Sequence, residues 1–463
     1  MAYGRTIAAI STPSGKGGVA IIRISGDEAV AIAARVFVPK SKLPIEKIAT
    51  RVQTWGDILY NGEYIDDGML TVFRAPHSYT GEDVVEISCH GGILVTRTVL
   101  EAILSAGASP AEPGEFTKRA FINGKLSLTE AEAVGDLLEA KSREQIRLSS
   151  GASRARLSGA ISDVRTALTE LLSSTYARID YPDEDLGDFT DDESLERLYG
   201  IKASLERLIS TYPTGKAISE GVSTVICGKP NVGKSTLYNA ILGEDAAIVT
   251  DIEGTTRDVL CRSVPLGRVM LNLSDTAGIR DSERADPIEK IGIDRTRAAI
   301  SGAELIISVF DGSRPADAED EALIALLNGI SCPKIAIINK CEIDGKFDRE
   351  VLCDGFAYVI EASAKTRESE LLERLSAAVC ALFTDEKISV GSEAVVSSAR
   401  HNASLTRALA FVEAAIAAYS SGVYADAASS EVERALGAIA EIDGRAVSEE
   451  VVGDIFSKFC VGK

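Results

Sequence analysis

The 463-residue sequence predicts a multidomain fold of α/β plus all-α class. It comprises an N-terminal α/β domain, a discontinuous helical domain, and a doubly wound α/β module inserted between the two helical segments. Three observations predict this. Glycine and short β-like runs dominate roughly the first 120 residues. Helical periodicity begins at a capping box, Ser127-Leu128-Thr129-Glu130. That periodicity is then interrupted by apolar runs that each end in a polar motif, as strands of a wound sheet do. The boundaries that follow are 1–120, 121–215, 216–383 and 384–463, with the second and fourth segments forming one helical domain.

Taken in order, Val19–Ile24 and Val84–Ser88 read as strands and residues 92–106 as a helix. Helical pattern runs with brief breaks from Ser127 to about Tyr181. The acidic stretch from Tyr181-Pro182-Asp183-Glu184-Asp185 through Asp191-Asp192 reads as a solvated loop, and 193–211 as a further helix. Beyond the insert, helical pattern covers Ser398–Ala428 and resumes from Ser430 to the end.

Composition narrows the function classes. A net charge of -20 excludes a chain that binds polyanions non-specifically over its whole surface. The local exception is Lys141, Arg143, Arg147, Arg154, Arg156 and Arg165, set against only Glu144 and Asp163. That stretch reads either as a phosphate-facing surface for RNA or as a solvated helix face. The eight cysteines form no C-x-x-C pair and no metal-like spacing, which fits a reducing compartment. No run of 18 apolar residues and no cleavable leader pattern is present. Cys460 stands fourth from the end, but Gly462 and Lys463 do not fit a prenylation signal. These features predict a cytoplasmic protein with no membrane association.

The insert carries the chemistry. Gly228-Lys229-Pro230-Asn231-Val232-Gly233-Lys234-Ser235 fits G-x-x-x-x-G-K-[ST]. It follows the strand-like Val222–Cys227 and precedes the helix-like Thr236–Leu242, the context a phosphate loop requires. Gly228 and Gly233 let N–H groups turn onto phosphate, Lys234 reaches the terminal phosphates, and Ser235 offers a magnesium ligand. Asp275-Thr276-Ala277-Gly278 follows a strand-like run over 268–274, bringing a carboxylate for the magnesium shell and a glycine N–H for the γ-phosphate. Gly254-Thr255-Thr256 supplies a switch threonine. Asn339-Lys340-Cys341-Glu342 follows Ile335–Ile338 at the position of an NKxD guanine motif, with Glu342 as the acid one methylene longer. Ser363-Ala364-Lys365, after the strand-like 356–360, completes the base pocket. Five motifs in this order predict a Ras-like P-loop GTPase.

Ile279 occupies the place where small signalling GTPases carry a water-orienting Gln. Asp281, Glu283, Asp286 and Glu289 are therefore candidates to position the nucleophile. Asn231 reads either as a turn former after Pro230 or as a ligand for a monovalent cation beside the phosphates. Such a cation would supply charge of the kind an arginine finger brings.

The whole chain also resembles one family. The matching residues are Thr12–Gly26 (TPSGKGGVAIIRISG), Tyr79–Glu86 (YTGEDVVE), Cys89-His90-Gly91-Gly92, Pro113–Phe121 (PGEFTKRAF) and the terminal Phe459-Cys460-Val461-Gly462-Lys463. They resemble the MnmE (TrmE) family of tRNA uridine-modification GTPases. The resemblance implies a homodimer with an N-terminal tetrahydrofolate-binding domain. With the flavoprotein MnmG, in a heterotetramer-like complex, such a dimer modifies carbon 5 of the wobble uridine of certain tRNAs. The implied cofactors are GTP, magnesium, potassium and 5-formyl- or methylene-tetrahydrofolate, with FAD and NADH on the partner. By matching positions the nucleotide set runs from Asn231, Val232, Gly233, Lys234, Ser235 and Thr236 through Thr250, Asp251, Ile252, Glu253, Gly254, Thr255 and Thr256. It continues with Asp275, Thr276, Ala277, Gly278, Asn339, Lys340, Glu342, Ser363, Ala364 and Lys365. Magnesium falls to Ser235 and Thr256, and potassium to Asn231, Thr250, Ile252 and Thr255. Glu289 takes the water-orienting role, and folate falls to Arg23, Glu82, Lys125 and Lys463. The alternative is a ribosome-assembly-type GTPase without covalent chemistry. Saturable folate binding separates the two.

Overall fold

The structure, a computed structural model, describes residues 4–180, 190–243, 261–274, 300, 302–343, 346–352, 354–365, 367–421, 425–446 and 448–462. Two compact units are present, Met1–Leu138 with Leu436–Lys463, and Glu139–Ala435.

The first unit is built on seven strands: β1 Ile7–Ile10, β2 Val19–Ser25, β3 Phe37–Pro39, β4 Gln53–Tyr60, β5 Glu63–Phe73, β6 Val84–His90 and β7 Ser109–Pro110. Their spatial order is β3-β4-β5-β6-β2-β1-β7. Alternation along β2 turns Ile22 and Ile24 into a core with Leu70 and Ile87, covered by helices α1 Ala29–Val36 and α2 Ile93–Ser105. Arg23 and Ser25 face the other way, as a period of two requires. On that side lies α3 Glu115–Ile122, whose Phe116 packs with Ile7 and Ala9.

The expected capping box forms. The Glu130 N–H donates to Ser127 Oγ (3.2 Å) and the Ser127 N–H to Glu130 Oε2 (2.8 Å), opening α4 Leu128–Glu139. The chain's last segment completes the same unit. Val452 and Phe456 pack on Leu128 and Ala131, and Thr129 Oγ1 donates to the Ile442 carbonyl (3.1 Å). Helix does not run unbroken from Ser430 to the end. It stops at Ile442, turns through Gly444 at φ 81°, and resumes at Glu449. A Cβ at Gly444 would lie 2.8 Å from Leu128 and Phe121 atoms, so the turn needs glycine there.

In the second unit, α5 Arg143–Leu148 and α6 Gly151–Asp180 are followed by α7 Asp191–Ser210 and α8 Tyr212–Ser219. The sheet that follows comprises β8 Val222–Cys227, β9 Cys261–Leu266, β10 Val269–Ser274, β11 Leu305–Asp311, β12 Lys334–Asn339 and β13 Tyr358–Glu361. Helix α9 Lys234–Leu242 follows β8, α10 Ala318–Asn328 follows β11, and α11 Glu368–Phe383 follows β13. The order is β13-β12-β11-β8-β10-β9, parallel except for β9. One face buries Leu237, Ile241, Leu371 and Leu375, and the other Ile324, Leu327 and Phe356. Both faces are covered, as parallel sheets require. Helices α12 Ala399–Ser420 and α13 Ala425–Ile442 return to helical structure, α12 lying along α7 with Lys202 Nζ 2.7 Å from Glu413 Oε1.

Candidate nucleotide and N-terminal charged sites

Strand β8 ends at Cys227 and α9 starts at Lys234, so the phosphate motif is the loop between them. Gly228 (φ 145°), Asn231 (φ 63°) and Gly233 (φ 105°) all have positive φ. Successive residues of this kind turn N–H groups toward one point and form an anion cradle at a helix N-terminus. Two glycines are obligatory here. A Cβ on Gly228 would collide with the Val309 carbonyl, and one on Gly233 with Asn339 Nδ2. Lys234 Nζ donates to the carbonyls of Gly228 (2.8 Å) and Lys229 (2.6 Å). Burial pulls its ammonium pKa down from the ordinary lysine value. Ser235 and Thr236 are exposed on the first turn of α9 and Asn231 on the loop, while Val232 is buried.

The base motif is joined to this loop by one side chain. Asn339 Nδ2 donates to the Val232 carbonyl (2.8 Å), and Asn339 Oδ1 accepts from the Ala364 N–H (2.9 Å). Asn339 is 5% exposed, so both halves of its amide are used in fixing three loops against one another. Glu342 is exposed. Its own backbone N–H, then the Ser363 hydroxyl, hold its carboxyl below the usual range, which keeps an ionised acceptor pair at the edge of the site. Lys365 is exposed beside buried Ser363 and Ala364. Lys340 adopts φ 64° and its Nζ pairs with Asp311 Oδ2 at 2.6 Å.

The structure therefore brings together Asn231–Thr236, Asn339–Glu342 and Ser363–Lys365. The remaining predicted nucleotide and metal residues (Thr250, Asp251, Ile252, Glu253, Gly254, Thr255, Thr256, Asp275, Thr276, Ala277, Gly278 and Glu289) lie outside the described residues, as does Lys463.

In the first unit, Arg23 does not stand as a free cation. Its Nε and Nη2 donate to Glu86 Oε1 (2.9 and 2.7 Å), its register partner across β2 and β6. The guanidinium carbon lies 5.5 Å from the Tyr79 ring centre and 5.7 Å from that of Phe116. Glu82 accepts from Ser25 Oγ (2.8 Å) and from Arg119 Nη1 (3.0 and 3.2 Å). Lys125 Nζ donates to the Pro76 carbonyl (2.9 Å). Arg119, 0% exposed, went unassigned in the sequence, although Glu115 and Arg119 at i and i+4 carried the signal. Its Nη2 donates to Glu115 Oε1 (2.8 Å) and to the Arg5 carbonyl (3.1 Å). Burial pushes the Glu115 carboxyl up, but the Glu112 N–H and Arg119 outweigh it and hold its pKa below the usual range.

The C-terminal tail docks beside this cluster. Val461 forms an antiparallel bridge with Pro113, and Ser11 Oγ donates to the Gly462 carbonyl (3.2 Å). Gly462 is at φ 97°, and a Cβ there would collide with the Ile10 carbonyl.

Residues 6–125 match the family described as GTP-binding protein TrmE N-terminus, and residues 128–460 match the MnmE helical domain. The tRNA modification GTPase MnmE of Lysinibacillus sphaericus is 41% identical, with 99% of each chain covered. Those of Geobacillus kaustophilus and Acetivibrio thermocellus are 39% and 40% identical, again with 99% of each chain covered. Among solved structures, a point variant of Aquifex aeolicus Era bound to GDP.AlF4- aligns with 22% identity over 41% of this chain and 66% of its own, at a TM-score of 0.27. With both family descriptions matched and end-to-end identity near two residues in five, the chain belongs to the MnmE (TrmE) family of tRNA modification GTPases.

Proposed function

We propose that this chain is a potassium-stimulated GTP hydrolase that acts as a homodimer with the flavoprotein MnmG. In this reading a tetrahydrofolate supplies the one-carbon unit for a carboxymethylaminomethyl or aminomethyl group at carbon 5 of the tRNA wobble uridine. The observation that carries the GTPase part is Asn339, which ties the phosphate loop at Val232 to the base motif and to Ala364. End-to-end similarity to proteins named tRNA modification GTPase supports the tRNA part.

The residues divide the work as follows. Lys234 exchanges its two backbone carbonyls for phosphate oxygens, a favourable trade for an ammonium already shielded from water. Ser235 and Thr256 would hold magnesium, which neutralises phosphate charge when bound. Asn231, Thr250, Ile252 and Thr255 would hold potassium, and Asn231 is exposed on the phosphate loop as that role requires. Glu289 orients the attacking water. Glu342 accepts from the guanine edge.

Arg23, Glu82, Lys125 and Lys463 would hold the folate. Arg23, paired with Glu86, and Glu82, paired with Arg119, would exchange these partners for the ligand's acidic tail and donor edge. Lys141, Arg143, Arg147 and Arg156 are exposed on and beside α5 and the start of α6, and form the candidate surface for tRNA phosphates. Domain boundaries of 1–120, 121–215, 216–383 and 384–463 and a cytoplasmic site belong to the same reading. No described helix is long and apolar enough to cross a membrane.

The test is reconstitution with MnmG, a tetrahydrofolate, GTP and unmodified tRNA, read by nucleoside mass spectrometry. Modified uridine that requires this chain, the folate and GTP is the expected result. GTP turnover with no folate binding and no modified nucleoside refutes the reading.

A further inference from the structure

We infer that residues 311–320, the end of β11, its loop and the first turn of α10, are a positioning element for the nucleotide site, holding Lys229 of the phosphate loop at one end and Lys340 of the base motif at the other. The inference rests on the guanine-nucleotide reading above and assigns new residues to it.

Strand β11 lies between β8, which leads into the phosphate loop, and β12, which leads into the base motif, and is parallel to both. The loop at its carboxyl end therefore emerges between the two. Toward the base motif, Asp311 Oδ2 pairs with Lys340 Nζ at 2.6 Å, and the Gly312 N–H donates to the Asn339 carbonyl at 2.7 Å. A Cβ on Gly312 would lie 2.8 Å from that carbonyl oxygen, so the approach needs glycine.

Toward the phosphate loop, Lys229 Nζ donates to both carboxylate oxygens of Asp317 at 2.5 Å and lies 3.1 Å from Glu319 and 3.6 Å from Asp320. Arg314 sits among these acids, 2.7 Å from Asp317 and 2.9 Å from Asp320. Asp320 is 1% exposed. A carboxylate buried to that degree needs cations beside it, and among the described residues Lys229 and Arg314 lie within 4 Å.

Asp317 also accepts from the Glu319 and Asp320 N–H groups (3.0 and 3.1 Å), capping α10. The anchor is thus fixed to a helix rather than to a free loop. Lys229 is one of the two residues whose carbonyls receive Lys234 Nζ, so its side chain helps fix the peptide against which the phosphate-binding lysine is aligned. Lys229, Asp311, Asp317 and Asp320 are accordingly positioning residues, acting through Lys234, Lys340 and Asn339.

The test is equilibrium titration of the full chain with a fluorescent GDP analogue. Lys229→Met should weaken GDP binding about tenfold, the size of one charge-assisted hydrogen bond. Asp317→Asn should weaken binding in the same direction, and Lys229→Arg should restore near-unmodified affinity. Unchanged affinity in both Lys229→Met and Asp317→Asn overturns the inference. So does an equal loss in Lys229→Arg and Lys229→Met. No GDP binding by the unmodified chain refutes the nucleotide reading itself, which separates the two failures.

Discussion

Gly233 shows how little room the nucleotide site leaves. Its φ of 105° and its approach to Asn339 Nδ2 exclude any Cβ. Gly233→Ala would push Asn339 off the Val232 carbonyl and disorganise the phosphate and base loops at once. Guanine-nucleotide affinity should fall more than about tenfold, because at least one buried hydrogen bond and the cradle are lost together. Calorimetric titration with GDP checks it, and affinity within about twofold of the unmodified chain refutes it.

A second residue-scale prediction concerns His90. Its Nδ1 lies 2.8 Å from Asp66 Oδ1, and its backbone N–H donates to Asp66 Oδ2 at 2.9 Å. The Asp66 hydrogen bond and charge favour the imidazolium and raise the His90 pKa. A raised folded-state pKa means the stabilising pair is fully present below the unfolded value of about 6.5 and is lost as pH rises through the folded value. Proton NMR should place the His90 midpoint above that of a free imidazole, and Asp66→Asn should return it to the free value. An unshifted midpoint in the unmodified chain contradicts the pair.

At the scale of elements, the tail is tied to the first unit at two points. It is held by the Val461–Pro113 bridge and the Ser11 bond to Gly462, in the unit whose sheet carries Arg23 and Ser25 on the α3 side. Deleting residues 460–463 should abolish uridine modification while leaving GDP affinity unchanged, because the phosphate loop belongs to the other compact unit. Equal loss of both activities would contradict two separate sites.

Elements also show what was legible beforehand. The strands before the phosphate and base motifs were readable because each is a short apolar run cut off by its motif. The hairpin β4–β5 was not, although Asn61-Gly62 marks its turn with φ of 51° and 83°. Asp57, Asp66 and Asp67 obscure the apolar alternation there, and Asp66 is tolerated inside because His90 occupies both its oxygens. The pairing of Arg23 with Glu86 was equally hidden. It depends on a register between strands 63 positions apart, which no local pattern encodes.

At the scale of the molecule, the proposed reading assigns the missing charge in hydrolysis to a bound cation, on the strength of Ile279 and Asn231. Ile279 offers a water molecule nothing, and Asn231 stands exposed on the phosphate loop. If potassium supplies the missing charge, turnover should rise strongly in potassium over sodium, within the ~10³–10⁵ range a protein-borne arginine provides. Asn231→Ala should erase the difference between the salts while GDP binding persists. Equal turnover of the unmodified protein in both salts would exclude the cation role.

The docked tail also bears on how the protein is made. Helix Glu449–Ser457 contributes Val452 and Phe456 to a core shared with Leu128 and Ala131, so the first unit cannot be completed until Phe456 has emerged from the ribosome. Between Leu138 and Leu436 a ribosome spends roughly 15–60 s at about 5–20 residues per second. During that interval α3 and α4 lack the helix that covers Phe121, Leu128 and Ala131, while the nucleotide-binding sheet gains every strand it needs. Premature termination therefore leaves those apolar side chains uncovered for chaperones and proteases to find.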